Sequence, residues 1–171
     1  MFNIILFNPE IPPNTGNIIR LCSNTGSNLH LIKPLGFDLN SKNLKRAALD
    51  YSEISNLKVY DSLEYCLSEN KFNNVFAITK FGKENLFSLK FEIDDAFLFG
   101  NETSGLPSEI LNSFTNKKKL RIPMKKQNRS LNLSNAASIV LYEAWRQNNF
   151  KLAEISYNCL LYTSPSPRDQ L

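Results

Sequence analysis

Three short segments bring polar side chains, glycines and bases to places where the chain leaves an apolar run and enters a helix. The first is Asn8-Pro-Glu-Ile-Pro-Pro-Asn14-Thr-Gly-Asn-Ile-Ile-Arg20. Its prolines stiffen the approach, and Asn14, Thr15 and Gly16 offer cap chemistry at a helix start, where backbone N–H groups and the helix dipole favour a phosphate. Arg20 follows about one turn later, as a phosphate ligand or as an ordinary surface cation. The second is Phe97-Leu-Phe-Gly100-Asn-Glu102-Thr-Ser-Gly105-Leu-Pro107, an apolar run ending in a loop with two glycines. Glycine there permits close approach of a ligand to the backbone, or simply a tight turn. The segment has neither the three-glycine dinucleotide fingerprint nor a Walker lysine, which disfavours a Rossmann or P-loop nucleotide site.

The third segment runs Ile122-Pro-Met-Lys125-Lys126-Gln-Asn-Arg129-Ser130-Leu131-Asn-Leu133-Ser-Asn-Ala-Ala137. Small and amide side chains gather at a helix start, directly after Lys125, Lys126 and Arg129. They can satisfy their own backbone, or they can hold an adenosine with a phosphate chain beside it.

These segments need a scaffold, and the apolar pattern supplies one. Runs at Phe2–Phe7, Leu29–Ile32, Leu57–Tyr60, Val75–Thr79, Ala96–Phe99 and Leu120–Pro123 alternate with helical stretches at 17–24, 44–50, 63–69 and 107–114. That order predicts an α/β fold, and runs apolar on both faces predict a mostly parallel sheet flanked by helices. In the last helix Leu133, Ala136, Ala137, Val140, Leu141 and Ala144 form one apolar face, with Ser134 near its cap. Ile139, Tyr142 and Trp145 form a second strip, read as a subunit contact of a homodimer, burial under the chain's own loop being the alternative.

The whole is expected to be a single domain over residues 1–156. Residues 157–171, with two Ser-Pro steps and no period, are expected to be a non-native or disordered tail. The chain has 171 residues, 42% hydrophobic and 21% charged, as in globular proteins. Its formal charge of +4 leans toward a polyanion. Three dispersed cysteines make no zinc or disulfide pattern, no metal cluster is expected, and no run is long enough for a membrane span, which together predict a cytoplasmic protein. His30, the single histidine, lies between Leu29 and Leu31 and reads as structural.

In their order and spacing the three segments resemble the motifs of the SpoU branch of the SPOUT methyltransferases. Within that branch the likeness is to the small enzymes of the tRNA wobble position, carried also by Leu49-Asp-Tyr51 and Tyr142-Glu-Ala-Trp-Arg146. The resemblance implies a C-terminal deep trefoil knot and S-adenosyl-L-methionine as cofactor, at Ile78, Gly100, Ile122, Ser130 and Leu131. It implies methylation of the ribose 2′-hydroxyl of cytidine or uridine 34 in tRNA, with leucine tRNAs the expected substrates. Asn14, Lys125, Lys126 and Arg129 are the expected RNA contacts, and Ile139 and Tyr142 the dimer contacts. Arg20 takes the catalytic position. A guanidinium with a pKa of about 12.5 to 13.8 rarely accepts a proton, so Arg20 is expected to stabilise the developing alkoxide. Glu102 reads as a loop organiser, with orientation of the motif residues or capping of Arg129 as the alternatives. Methylation of another tRNA or rRNA ribose, and RNA binding without catalysis, are the alternatives.

Overall fold

The computed structural model describes residues 1–39, 57–125 and 130–153. The helix expected at 44–50, the Leu49-Asp-Tyr51 match, Lys126, Arg129 and the tail lie outside these residues.

Strands β1 (Asn3–Phe7), β2 (Asn28–Ile32), β3 (Leu57–Tyr60), β4 (Val75–Ile78), β5 (Glu84–Asn85), β6 (Ala96–Phe99) and β7 (Lys119–Arg121) form one sheet in the order β3-β2-β1-β6-β4-β7-β5. Every pairing is parallel. Parallel strands must be joined by crossovers, and helices cover both faces of the sheet. The helices are α1 (Pro12–Thr25), α2 (Leu63–Glu69), α3 (Ser108–Ser113) and α4 (Leu133–Gln147).

The alternation of side chains along each strand divides the core in two. Ile4 and Leu6 of β1, Leu29 and Leu31 of β2 and Phe97 and Phe99 of β6 pack with Ile18, Ile19 and Cys22 of α1 and Val140, Leu141 and Ala144 of α4. Ile5, Ile32, Ala77 and Leu98 point the other way, against Leu63 and Cys66 of α2 and Ile110 and Leu111 of α3. Burial of each large side chain contributes about 1.5–3 kcal/mol, which is why both faces of these strands are apolar.

Three local expectations are corrected. α1 begins at Pro12, so Asn14, Thr15 and Gly16 are buried in its first turns rather than forming its cap. Its first two residues are prolines without N–H groups, and the N–H groups of Asn14 and Thr15 both donate to the Ile11 carbonyl. That end therefore has no spare donors for a phosphate. α4 is capped by Asn132, whose side-chain oxygen accepts from the N–H groups of Ser134 and Asn135, and not by Ser134. Trp145 is not part of an exposed strip: it is 8% exposed, its ring meets Phe150, and its Nε1 donates to the Lys151 carbonyl at 3.0 Å. The chain just past α4 folds back and covers it.

Candidate functional site

From β1 the chain adds β2 and β3 on one side of the sheet, then returns to build β6, β4, β7 and β5 on the other. Open α/β sheets hold ligands at the carboxyl ends of strands near such a reversal. A cavity of about 890 Å³ lies there, off the ends of β6, β4 and β7. Such a volume suits an organic ligand of cofactor size. Ile78, Gly100, Ile122, Ser130 and Leu131 all line it, together with Asn14, Phe99, Leu106, Leu133 and Ala136. A second concavity of about 780 Å³, between α2 and α3, is lined by Leu67, Phe72, Ile110 and Phe114 and contains none of the three motif segments.

Backbone geometry builds the cavity wall after β6. A Cβ at Gly100 would overlap the backbone of Gly105 and Leu106, so glycine is required by the loop closing on itself and not only by ligand approach. Asn101 Oδ1 accepts from the Ser104 N–H at 2.7 Å, the Ser104 hydroxyl at 2.9 Å and the Gly105 N–H at 3.2 Å. Gly105 takes a left-handed φ of 75°, which a side chain would strain.

Glu102 does more than organise its loop: it joins all three segments. Its carboxylate accepts from the N–H of Glu10 at 2.9 Å, the N–H of Ile11 at 3.2 Å and Asn14 Nδ2 at 3.0 Å. Asn14 Oδ1 in turn accepts from Asn132 Nδ2 at 2.9 Å, and Asn132 caps α4. A buried carboxamide with both ends engaged links the segments, and Asn14 also lines the cavity.

The basic residues are distributed differently. Lys125 is exposed, next to the cavity-lining Met124. Arg20 is exposed on α1 and is not among the residues lining the cavity. Six residues separate it from Asn14, about 9 Å along the helix and on a different face. The cavity rim also includes Thr79, Lys80, Phe81 and Arg121, which motif reading missed. The sequence signal for Lys80 and Phe81 is a Lys-Phe-Gly step after an apolar strand.

His30, Cys22 and Cys66 are buried in the core, away from the cavity. His30 is buried, and loss of hydration, with Lys58 nearby, lowers its pKa to about 4. Burial raises the thiols of Cys22 to about 12 and Cys66 to about 11, so both are inert. Among the described residues no group of three or more His, Cys, Asp or Glu side chains is placed to hold a metal ion, and no helix is long and apolar enough to cross a membrane.

Residues 1–142 match the SpoU rRNA Methylase family. The chain belongs to this family. This SpoU methylase is 54% identical over 150 residues to a tRNA (cytidine(34)-2′-O)-methyltransferase of Methylovorus glucosotrophus, the match covering 88% of this chain and 97% of the relative. It superimposes with a TM-score of 0.82, at 42% identity, on a structure solved to explain 2-OH methylation of C/U34 on tRNA, covering 88% of this chain and 98% of that one. An rRNA methyltransferase of Sinorhizobium meliloti, solved with AdoMet bound, matches at 25% identity and a TM-score of 0.73, covering 85% of this chain and 56% of that longer one.

Proposed function

We propose that this SpoU methylase transfers a methyl group from S-adenosylmethionine to the ribose 2′-hydroxyl of nucleotide 34, cytidine or uridine, in tRNA. One observation carries the reading: all three motif segments meet in a single cavity at the carboxyl ends of β6, β4 and β7, in a chain whose full-length relatives carry that activity in their names. The cavity suits the cofactor chemically. Its wall mixes apolar side chains, suited to a purine and an aliphatic chain, with the strand ends at Ile78, Gly100 and Ile122 and the helix approach at Ser130 and Leu131, where the backbone can bond a ligand. When bound, S-adenosylmethionine supplies an electrophilic methyl group on a sulfonium.

The chain's own residues do the rest. The Gly100–Leu106 loop shapes one wall, and Glu102, Asn14 and Asn132 hold that wall against α1 and α4. Arg20 places its guanidinium against the 2′-oxygen or the adjoining phosphate as negative charge develops, while the proton leaves to phosphate or water. Because Arg20 does not line the cavity of its own chain, this role goes together with a homodimer in which α1 of one copy serves the cavity of the other. The exposed Tyr142 and the half-buried Ile139 are the dimer contacts in this reading. Lys125, with Lys126 and Arg129, holds the RNA backbone. The trefoil knot belongs to the same proposal, supported by a chain that inserts β7 between β4 and β5 before returning through the cavity wall into α4. Leucine tRNAs as substrates and a cytoplasmic setting complete it; two buried thiols suit a reducing compartment.

Nucleoside mass spectrometry of tRNA incubated with the enzyme and labelled cofactor tests this. A 2′-O-methyl label at nucleotide 34 is the expected result. Label at another ribose redirects the enzyme to a different target, and no label under conditions of cofactor binding overturns the activity.

A further inference from the structure

Phe81 is the most exposed aromatic side chain among the described residues, 69% exposed, and it stands on the rim of the cavity. Its position is not that of a loose loop tip. β4 ends at Ile78, and the Thr79 N–H then donates to the Leu120 carbonyl at 2.9 Å, pinning the turn to β7. The Phe81 N–H donates to Thr79 Oγ1 at 3.2 Å, and the Gly82 N–H to the Thr79 carbonyl at 3.1 Å. A Cβ at Gly82 would run into the Leu120 carbonyl, so the backbone presses flat on β7 and the turn cannot slide. A rigid turn thus holds a phenyl ring in solvent, where it makes no core contact.

The surroundings are cationic. Lys80 Nζ lies 5.1 Å from the centroid of the Phe81 ring. Exposed Lys83 and Arg121 flank the same turn, and among the described residues neither they nor Lys80 form an ion pair. An aromatic face set among unneutralised cations, beside a cavity that takes a nucleoside, matches the chemistry of an unpaired nucleotide: a flat base to stack and a phosphate to neutralise.

We propose that Phe81 is a stacking platform for an unpaired base of the substrate RNA adjacent to the methylated nucleotide, with Lys80 and Arg121 holding the phosphates on either side. The proposal rests on the reading of the protein as a tRNA wobble methyltransferase. It adds a substrate-positioning surface outside the three motif segments. A ring that gives up water from its open face only when RNA arrives contributes to RNA affinity and register, not to cofactor binding.

The test measures binding of a fluorescent tRNA anticodon stem-loop by anisotropy, with S-adenosylhomocysteine present, for the wild type, Phe81→Ala and Phe81→Trp. Loss of one stack is expected to weaken Phe81→Ala roughly 5- to 100-fold, with Phe81→Trp close to wild type. Stem-loops made abasic at single loop positions then locate the contact: at the stacked position, wild type and Phe81→Ala should bind alike. Affinity for S-adenosylhomocysteine by calorimetry and sedimentation behaviour should be unchanged in Phe81→Ala. Unaltered RNA binding by Phe81→Ala, an equal deficit on every abasic RNA, loss of cofactor affinity or altered self-association each overturns the platform. A wild type that fails to bind or methylate the stem-loop overturns the parent function as well, whereas a wild type that methylates it and is indifferent to Phe81 overturns the platform alone.

Discussion

Nε2 of His30 lies 3.2 Å from Asn3 Oδ1, and its Nδ1 lies 3.4 Å from the Tyr60 hydroxyl. Asn3 Nδ2 is turned to the Asp94 and Asp95 carbonyls, which leaves its oxygen to face the imidazole. Nε2 therefore donates to Asn3, and in the neutral ring Nδ1 accepts from the Tyr60 hydroxyl. Burial enforces the same state, holding the folded pKa near 4 against 6.5 for a free histidine. As pH falls, the unfolded chain takes up the proton first. His30 thus costs no stability above pH 6.5, costs progressively more between 6.5 and 4, and nothing further below. Between pH 7 and pH 5 the loss should be about 2 kcal/mol. Asp95, whose carboxyl is pushed upward by burial, works in the opposite direction, so the comparison must be with a variant. In urea unfolding, His30→Gln should lose about 2 kcal/mol less than the wild type between those pH values. Equal losses would mean that the ring is already charged in the fold.

Among the elements, what was legible in the sequence was what is locally determined. α2 spans the expected 63–69 because its signals are adjacent: Ser62 accepts from the Tyr65 N–H at 3.1 Å, and Leu63 and Cys66 face inward. α1 starts five residues before the expected position 17, because Pro12 and Pro13 are its first helical turn and not a stiff approach to it. β5 has two residues, too short for any period, and Trp145 was read as exposed because the segment covering it has no regular pattern. The cavity residues came from resemblance and not from periodicity. The partners of Glu102 are not legible for a physical reason: Glu10, Ile11 and Asn14 are 88 to 92 residues away, and only the parallel pairing of β1 with β6 makes them neighbours. That separation also makes the carboxylate a strong test of how the segments are joined. Glu102→Ala strands three donors, and hydrogen bonds to charged groups contribute about 1.5–3 kcal/mol each, with losses that overlap. A net loss of about 2 kcal/mol should lower Tm by roughly 4–8 °C, with Glu102→Gln affected less. Calorimetry with S-adenosylhomocysteine should show weaker binding in the same order. A Glu102→Ala protein that melts and binds cofactor like wild type would show that the segments hold together without it.

At the scale of the whole molecule, the position of Arg20 turns a question of chemistry into one of assembly. In the proposed dimer, a guanidinium that does not line its own cavity serves the cavity of the other copy. In a two-fold dimer each site would then combine one chain's cavity with the other chain's Arg20. Arg20→Ala and a cavity-blocked variant such as Ser130→Trp should each be inactive alone, the first by at least about 100-fold if the arginine acts as an oxyanion donor. Mixed and re-equilibrated in equal amounts, they should recover activity. Half of the dimers become hybrids, and one site in each hybrid has an intact cavity facing an intact arginine, so about a quarter of wild-type turnover is expected. Were Arg20 to act within its own chain, both sites of the hybrid would be defective and mixing would restore nothing. Tyr142→Glu, which puts a charge on the exposed face of α4, should sediment as a monomer and abolish the rescue. Turnover by that monomer at the wild-type rate would separate catalysis from pairing and overturn the sharing of Arg20 between copies.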